Sequence, residues 1–196
     1  MSTSPSKYHH GDLREALVNA AREMLEAGEP YSMRAVARRA GVSPAAPYRH
    51  FADREALDSA VAVEGFAELG KSLTQTLSAH SRNLSAPGEV LADLGVSYVA
   101  FALRHPALFR LMFGNECDTA DSDRVRASQA LHDVLNKALA ALLPTAASPE
   151  LSTALWALAH GLAFLHLDGK YRPEPEIDVA RRVRASILAI VPATQS

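Results

Sequence analysis

Ser32–Phe51 reads SMRAVARRAGVSPAAPYRHF, and the spacing within it decides the architecture. Ser32 is a good N-cap for a short amphipathic helix, which Gly41 ends in the left-handed conformation that glycine tolerates. Ser43 caps a second, very short helix, with Pro44 in its first turn where no amide hydrogen is needed. Ala37 stands four residues before Gly41, a small residue at the point where two helices must cross closely. Val36, Val42, Pro47 and Phe51 supply the apolar inner face. This is the layout of a helix-turn-helix, whose second helix enters the major groove of DNA.

If Pro47 and Phe51 face inward, then Ala45 and Arg49, also four apart, face outward. Ala45 and Ala46 are small enough to let the backbone approach base edges and to meet a thymine methyl, and Arg49 can grip guanine O6 and N7 together. Tyr48 and His50 flank Arg49 as phosphate contacts, and Ser43 joins the same exposed set. Charge agrees with this reading. Residues 31–54 hold five arginines and one acid, a local net of +4. The other 172 residues then carry −6 within a whole-chain net of −2, so a basic patch sits on an acidic body.

The rest of the chain reads as helix. It has 196 residues, 48% of them apolar and only 6% aromatic, with abundant alanine and few β-branched runs, so the expected fold is all-α with a substantial core. Asp12 is the expected cap of a first helix closed by Gly28, and Asp53 of a long helix reaching about His80. Further helices are expected at about 88–104, 106–113, 121–142 and 150–166, with a last one ending at Val191. His105-Pro106, the 114–122 loop and the proline-rich stretches break them. That makes about nine helices. Residues 1–11 read as a flexible tail, 12–63 as the helix-turn-helix domain, and 64–196 as a second helical domain.

No catalytic constellation assembles. Cys117 has no base beside it in sequence, and a single cysteine excludes an internal disulfide and suits a reducing compartment. His9-His10, and His160 with His166 six residues on, have the wrong spacing for a metal site. Asp121 and Asp123 read as solvated loop charge. No metal and no cofactor are expected, and the chain is read as a non-enzyme. Ala154–Leu167 is apolar but interrupted by His160 and His166, and MSTSPSKYHHGD lacks the apolar stretch of a signal peptide. The expectation is a soluble cytoplasmic protein without membrane contact.

RAVARRAGVSPAAPYRHFADREAL resembles the N-terminal domain of the tetracycline-repressor (TetR) family, whose helix-turn-helix ends in Tyr-x-His-Phe before a basic residue. Those positions are Tyr48, His50, Phe51 and Arg54 here. The resemblance implies phosphate contacts from Ser32, Arg34, Tyr48, His50 and Arg54, and base contacts from Pro44, Ala45, Ala46 and Arg49. Pro47 departs from the family, which usually has leucine or isoleucine there. It should push Ala46 away from α geometry and make the recognition helix short, leaving open which alanine faces the bases.

LWALAHGLAFLHLDG, residues 155–169, is similar to the C-terminal domain of a TetR subgroup named for its Trp-His-Gly residues. Trp156 and His160 share a helix face, either as packed core or as ligand contacts. Tyr98, Phe101, Phe109, Met112, Phe113, Leu135, Trp156 and Phe164 are apolar enough to line a pocket or simply to fill a core. The resemblance favours a pocket for a small-molecule effector, with His105 and His160 as polar groups in it. Leu151, Leu155, Leu158, Leu162 and Leu165 form one stripe, and Ile177, Val183, Ile187, Leu188 and Val191 another. The resemblance implies a homodimer through these last two helices. A two-fold dimer would read a palindromic double-stranded operator. The expected function is a ligand-released repressor; the alternative is a DNA-binding regulator without a ligand, its C-terminal domain serving only dimerisation.

Overall fold

The computed structural model describes residues 10–80, 86–114 and 122–191, and among these every regular element is helical. There are eight α-helices: α1 His10–Glu26, α2 Met33–Arg39, α3 Arg54–His80, α4 Pro87–Arg104, α5 Pro106–Gly114, α6 Ser122–Leu142, α7 Pro149–Leu167 and α8 Glu176–Ile190. The ninth expected helix is a single 3₁₀ turn, Pro47–Arg49. Cys117, Asp121 and His9 lie outside the described residues.

Side-chain caps form at three helix starts, two of them expected (Ser32, Asp53) and one not (Ser148), whereas Ser43 makes only a backbone bond. Ser32 Oγ accepts from the Ala35 amide at 3.3 Å, Asp53 Oδ1 from the Ala56 amide at 2.9 Å, and Ser148 Oγ from the Leu151 amide at 3.2 Å. Gly41 has φ +69°, and its amide and that of Val42 turn back to the carbonyls of Arg38 and Ala37. This double bond pattern closes α2 and needs a left-handed residue at that point. Asp12 is not a cap. Helix α1 continues past it to His10, because nothing at residues 10 and 11 stops helical backbone, and caps shift by a residue or two in such cases.

Helix α1 packs on α3, α2 on α1 and on the 3₁₀ turn; α4, α5 and α6 also pack on α3, and α7 and α8 pack on α4. At 27 residues, α3 is about 40 Å long and belongs to both regions. A domain boundary between residues 63 and 64 therefore falls inside a continuous helix. One buried cluster runs from Leu17 and Val36 through Phe66 and Phe101 to Leu162 and Val183. Close crossings hold it together: a Cβ on Gly65 would lie 2.7 Å from Met112 Sδ, and one on Gly95 would lie 3.0 Å from Ile187 Cγ1. Larger residues at either position would force α3 from α5, or α4 from α8.

Helix α4 is the hub of the C-terminal region, touching α3, α5, α7 and α8. Arg184 on α8 pairs with Glu89 and Asp93 on α4, and His80 Nε2 at the end of α3 lies 2.8 Å from the same Asp93. Among the described residues, no helix is long and apolar enough to cross a membrane.

Candidate nucleic-acid interface and effector cavity

The helix-turn-helix forms with a shortened second helix. Prolines at 44 and 47 remove two amide donors from this stretch, and the one i→i+4 bond runs from Phe51 N to Pro47 O at 2.9 Å. Tighter bonds take over: Ala46 N donates to Ser43 O at 2.9 Å, Arg49 N to Ala46 O at 3.2 Å, and His50 N to Pro47 O at 2.9 Å. The predicted distortion at Ala46 does not occur. It sits at φ −62°, ψ −43°, inside the α region, because α geometry before proline is disfavoured but not forbidden and the flanking turns hold it there.

Burial resolves the two alanines. Ala46 is 8% exposed and packs inward beside Pro47 and Phe51, so it is withdrawn from the base-facing set. Ser43, Pro44 and Ala45 are exposed to differing degrees, as are Tyr48 (55%) and Arg49, while His50 is half-buried. On α2, Ser32 and Arg34 are exposed, as is Arg38, and Arg34 and Arg38 have no ion pair among the described residues. Arg39 is already committed, at 2.7 Å from Glu29 and 3.6 Å from Glu23.

Arg54 is mostly exposed, yet held from below. Its guanidinium lies 4.6 Å from the centroid of the Tyr31 ring, and its Nε is 3.4 Å from Asp58 Oδ2. The Tyr31 hydroxyl donates to the other oxygen of Asp58. Burial, then the Asp58 bond, pushes the Tyr31 phenol well above its ordinary pKa, so it remains a donor. The i,i+4 spacing of Arg54 and Asp58 is a pairing signal visible in the sequence; nothing there marks Tyr31.

Above this interface, His105 ties the two regions of the molecule. Its Nδ1 is 3.2 Å from Glu26 at the end of α1, and its Nε2 is 3.7 Å from Glu68 on α3, which also pairs with Arg22 at 2.6 Å. His105 is thus a strut between α1, α3 and the α4–α5 bend, not a pocket residue. An acidic neighbour 79 residues away in sequence leaves no local signal.

The C-terminal region holds a partly open cavity of about 50 Å³ between α3, α4, α6, α7 and α8. Of the expected lining, Tyr98, Leu135 and Trp156 border it; His132 and Leu131 on α6 border it too, from outside the expected set. Phe101, Phe109 and Met112 are at most 2% exposed and fill the core instead. His160 stands just behind the wall. Its Nδ1 is 2.9 Å from the Tyr98 hydroxyl, and the rings of Phe113, Phe164, Trp156 and Phe109 surround it at 4.7 to 5.8 Å. Burial lowers its pKa, keeping the imidazole neutral, and raises that of the Tyr98 phenol.

The expected leucine stripes divide. Leu155, Leu162, Val183 and Ile187 are buried within the chain itself, since α7 and α8 both pack on α4. The outer face of α7 carries Ala154, Ala157, Gly161 and Leu165 instead, and α8 leaves Ile177 (66%), Leu188 and Ile190 exposed, the last two on different sides of the helix.

Comparison with known proteins agrees with this architecture. Residues 17–61 match the model for bacterial regulatory proteins of the tetR family, and residues 91–189 match the tetracyclin repressor-like C-terminal domain. A protein of unknown function from Rhodococcus sp. RHA1 is 32% identical, with 94% of this chain and 97% of that one covered and a TM-score of 0.78. An uncharacterised HTH-type transcriptional regulator from Haemophilus influenzae is 31% identical over 121 residues, 60% of this chain; the match spans 57% of that relative's length. RolR, solved with the ligand resorcinol, shares the fold at 20% identity and a TM-score of 0.65, covering 94% of this chain and 89% of its own. With both regions of the chain matched in order and the second match alone covering half of it, the protein belongs to the TetR family.

Proposed function

We propose that this chain is a homodimeric transcriptional regulator that represses from a palindromic operator and releases it when a small hydrophobic molecule binds the C-terminal region. The observation that carries the reading is the outward-facing set Ser32, Arg34, Ser43, Pro44, Ala45, Tyr48, Arg49 and Arg54 on a helix-turn-helix, with Arg49 the one side chain of the recognition turn able to read guanine. Phosphate contacts from the others would fix register. Half-buried His50 joins them at the rim.

Dimerisation rests on α7. It is apolar around its whole circumference, with one side on α4 and the other exposed, which suits a helix buried on both sides in a dimer. A second copy presenting the same α7 and α8 faces would supply the two-fold symmetry of an operator. Control requires that the effector prefer a conformer with a different half-site spacing. Helix α3 links the DNA-facing side chains to the cavity, since Arg54 opens it and Leu73 borders the cavity. The pattern of Trp156, His160 and Gly161 supports a place in the Trp-His-Gly subgroup. RolR, which shares the fold, was solved with resorcinol, in keeping with a small-molecule effector.

The small cavity supports a second reading. Ligand sites usually hold about 300 Å³ or more, so a C-terminal region that only dimerises accounts for a 50 Å³ space equally well. The deciding experiment measures binding of the purified protein to its own upstream region, then release by a library of small apolar molecules. Salt-dependent, sequence-selective binding with release supports the first reading. Selective binding that no compound reverses supports the second, and absence of selective binding removes both.

A further inference from the structure

The cavity wall is leucine-rich, with Leu91, Leu94, Leu131 and Leu155 among its residues, and no Asp, Glu, Lys or Arg borders it among the described residues. A charged ligand would lose its hydration there with nothing to replace it. The polar atoms near the wall come from Tyr98, His132 and Trp156. Tyr98 is committed to His160 at 2.9 Å. The indole of Trp156 is different. Its Nε1 is buried and makes no hydrogen bond of normal geometry; the acceptor nearest its N–H is the Tyr98 hydroxyl, already engaged by His160. His132 packs edge-on to the same indole, 4.6 Å away at 75°, and helps fix its plane. A buried donor without a well-placed acceptor is uncommon in a native core, and here the side chain that carries it lines the cavity.

We propose that this cavity takes a compact, uncharged, largely apolar molecule with one hydrogen-bond acceptor, which receives the Nε1–H of Trp156. The proposal rests on the ligand-responsive reading above and names the chemistry of its ligand. At about 50 Å³ the space is smaller than the roughly 150 Å³ that accommodates benzene, so a ligand of that size must push the cavity walls apart. The α6–α7 seam is the place, because α6 packs extensively along α3 and only lightly on α7, while both contribute to the wall. Trp156 stands on α7 at that seam.

Trp156 is the one tryptophan of the chain, so a ¹⁵N–¹H spectrum has a single indole signal that reports on this site. Three probes of similar shape separate the contributions: cyclohexanone, methylenecyclohexane and cyclohexanecarboxylate. Calorimetry on the DNA-free protein should find the ketone about tenfold tighter than the hydrocarbon, the scale of one recovered buried hydrogen bond. The carboxylate should be weakest. The ketone alone should move the indole signal downfield, and Trp156→Phe should bring ketone and hydrocarbon within about twofold of each other. The spectrum needs no variant, so the test stands even if Trp156→Phe does not fold. Equal binding of ketone and hydrocarbon, preference for the carboxylate, an unmoved indole signal, or no binding of any probe at millimolar concentration would each overturn the proposal. Ketone binding without operator release would leave the site in place and remove only the ligand-controlled reading.

Discussion

The Arg54 guanidinium lies over the face of Tyr31, 4.6 Å from the ring centroid, and this stack aims the first basic side chain of α3 outward. Asp58 joins the arrangement from one turn further along, accepting from the Tyr31 hydroxyl while pairing with Arg54. A phosphate would have to compete with Asp58 for the same guanidinium. Arg54→Ala is therefore expected to weaken binding to all DNA sequences alike and to flatten the salt slope by about one unit. Asp58→Asn should do the reverse, strengthening non-specific binding at low salt. Tyr31→Phe keeps the stack but loses the hydrogen bond, so it should cost about 1 kcal/mol of stability with little change in DNA affinity. Anisotropy titrations over a salt series, with urea melts for Tyr31→Phe, measure all three. A salt slope unaltered in Arg54→Ala would remove Arg54 from the phosphate contacts.

Arg49 makes a contrasting prediction. It is exposed at the end of a 3₁₀ turn, where the backbone is fixed by two prolines. Arg49→Ala should lower affinity for the operator by about 1–3 kcal/mol while leaving affinity for random DNA nearly unchanged. Equal losses on both would place Arg49 among the phosphate contacts instead.

These two arginines also show what is legible in the sequence. The helix-turn-helix can be read from Ser32, Ala37, Gly41 and Phe51 because caps, small crossings and left-handed turns are local chemistry, visible at fixed spacing. Pro47 announces a short recognition helix for the same reason. Its expected effect on Ala46 fails because a local steric preference yields to the surrounding turns, and only burial distinguishes Ala46 from Ala45. The partners within the C-terminal region are not legible. His105 meets Glu26 across 79 residues, and Phe101 and Trp156 look alike in sequence although one fills the core and the other borders a cavity. Helical periodicity tells which residues point inward and is silent about whether the space they meet is full.

Gly161 tests the dimer. A Cβ there would meet nothing within 4 Å, so Gly161→Glu leaves the monomer fold unstrained and, by replacing glycine in a helix, favours it slightly. The same change puts a charge on the apolar outer face of α7. Sedimentation should show a monomer for the variant and a dimer for the parent, with operator affinity falling by at least about tenfold because half-sites are then read singly. A variant that remains dimeric would move the interface away from α7.

His160 predicts a pH dependence whose sign follows from its surroundings. The ring is enclosed by four aromatic side chains and engaged by the Tyr98 hydroxyl, and burial depresses its pKa below that of an unfolded histidine. Between the two values the unfolded chain binds a proton that the folded chain refuses, so stability rises with pH in that window and falls as pH drops below about 6.5. Above the window the contribution is complete; below the folded pKa the loss levels off. One such histidine contributes a slope of at most about 1.4 kcal/mol per pH unit. His166, 2% exposed and beside Arg182, is depressed for the same primary reason and adds to the trend. His160→Gln retains an acceptor for Tyr98 without the titration, so its stability should be lower at neutral pH yet flatter between about pH 6.5 and 5 than that of the parent. Urea denaturation across that range supplies the comparison, and parallel curves for the two proteins would mean that His160 does not titrate on unfolding.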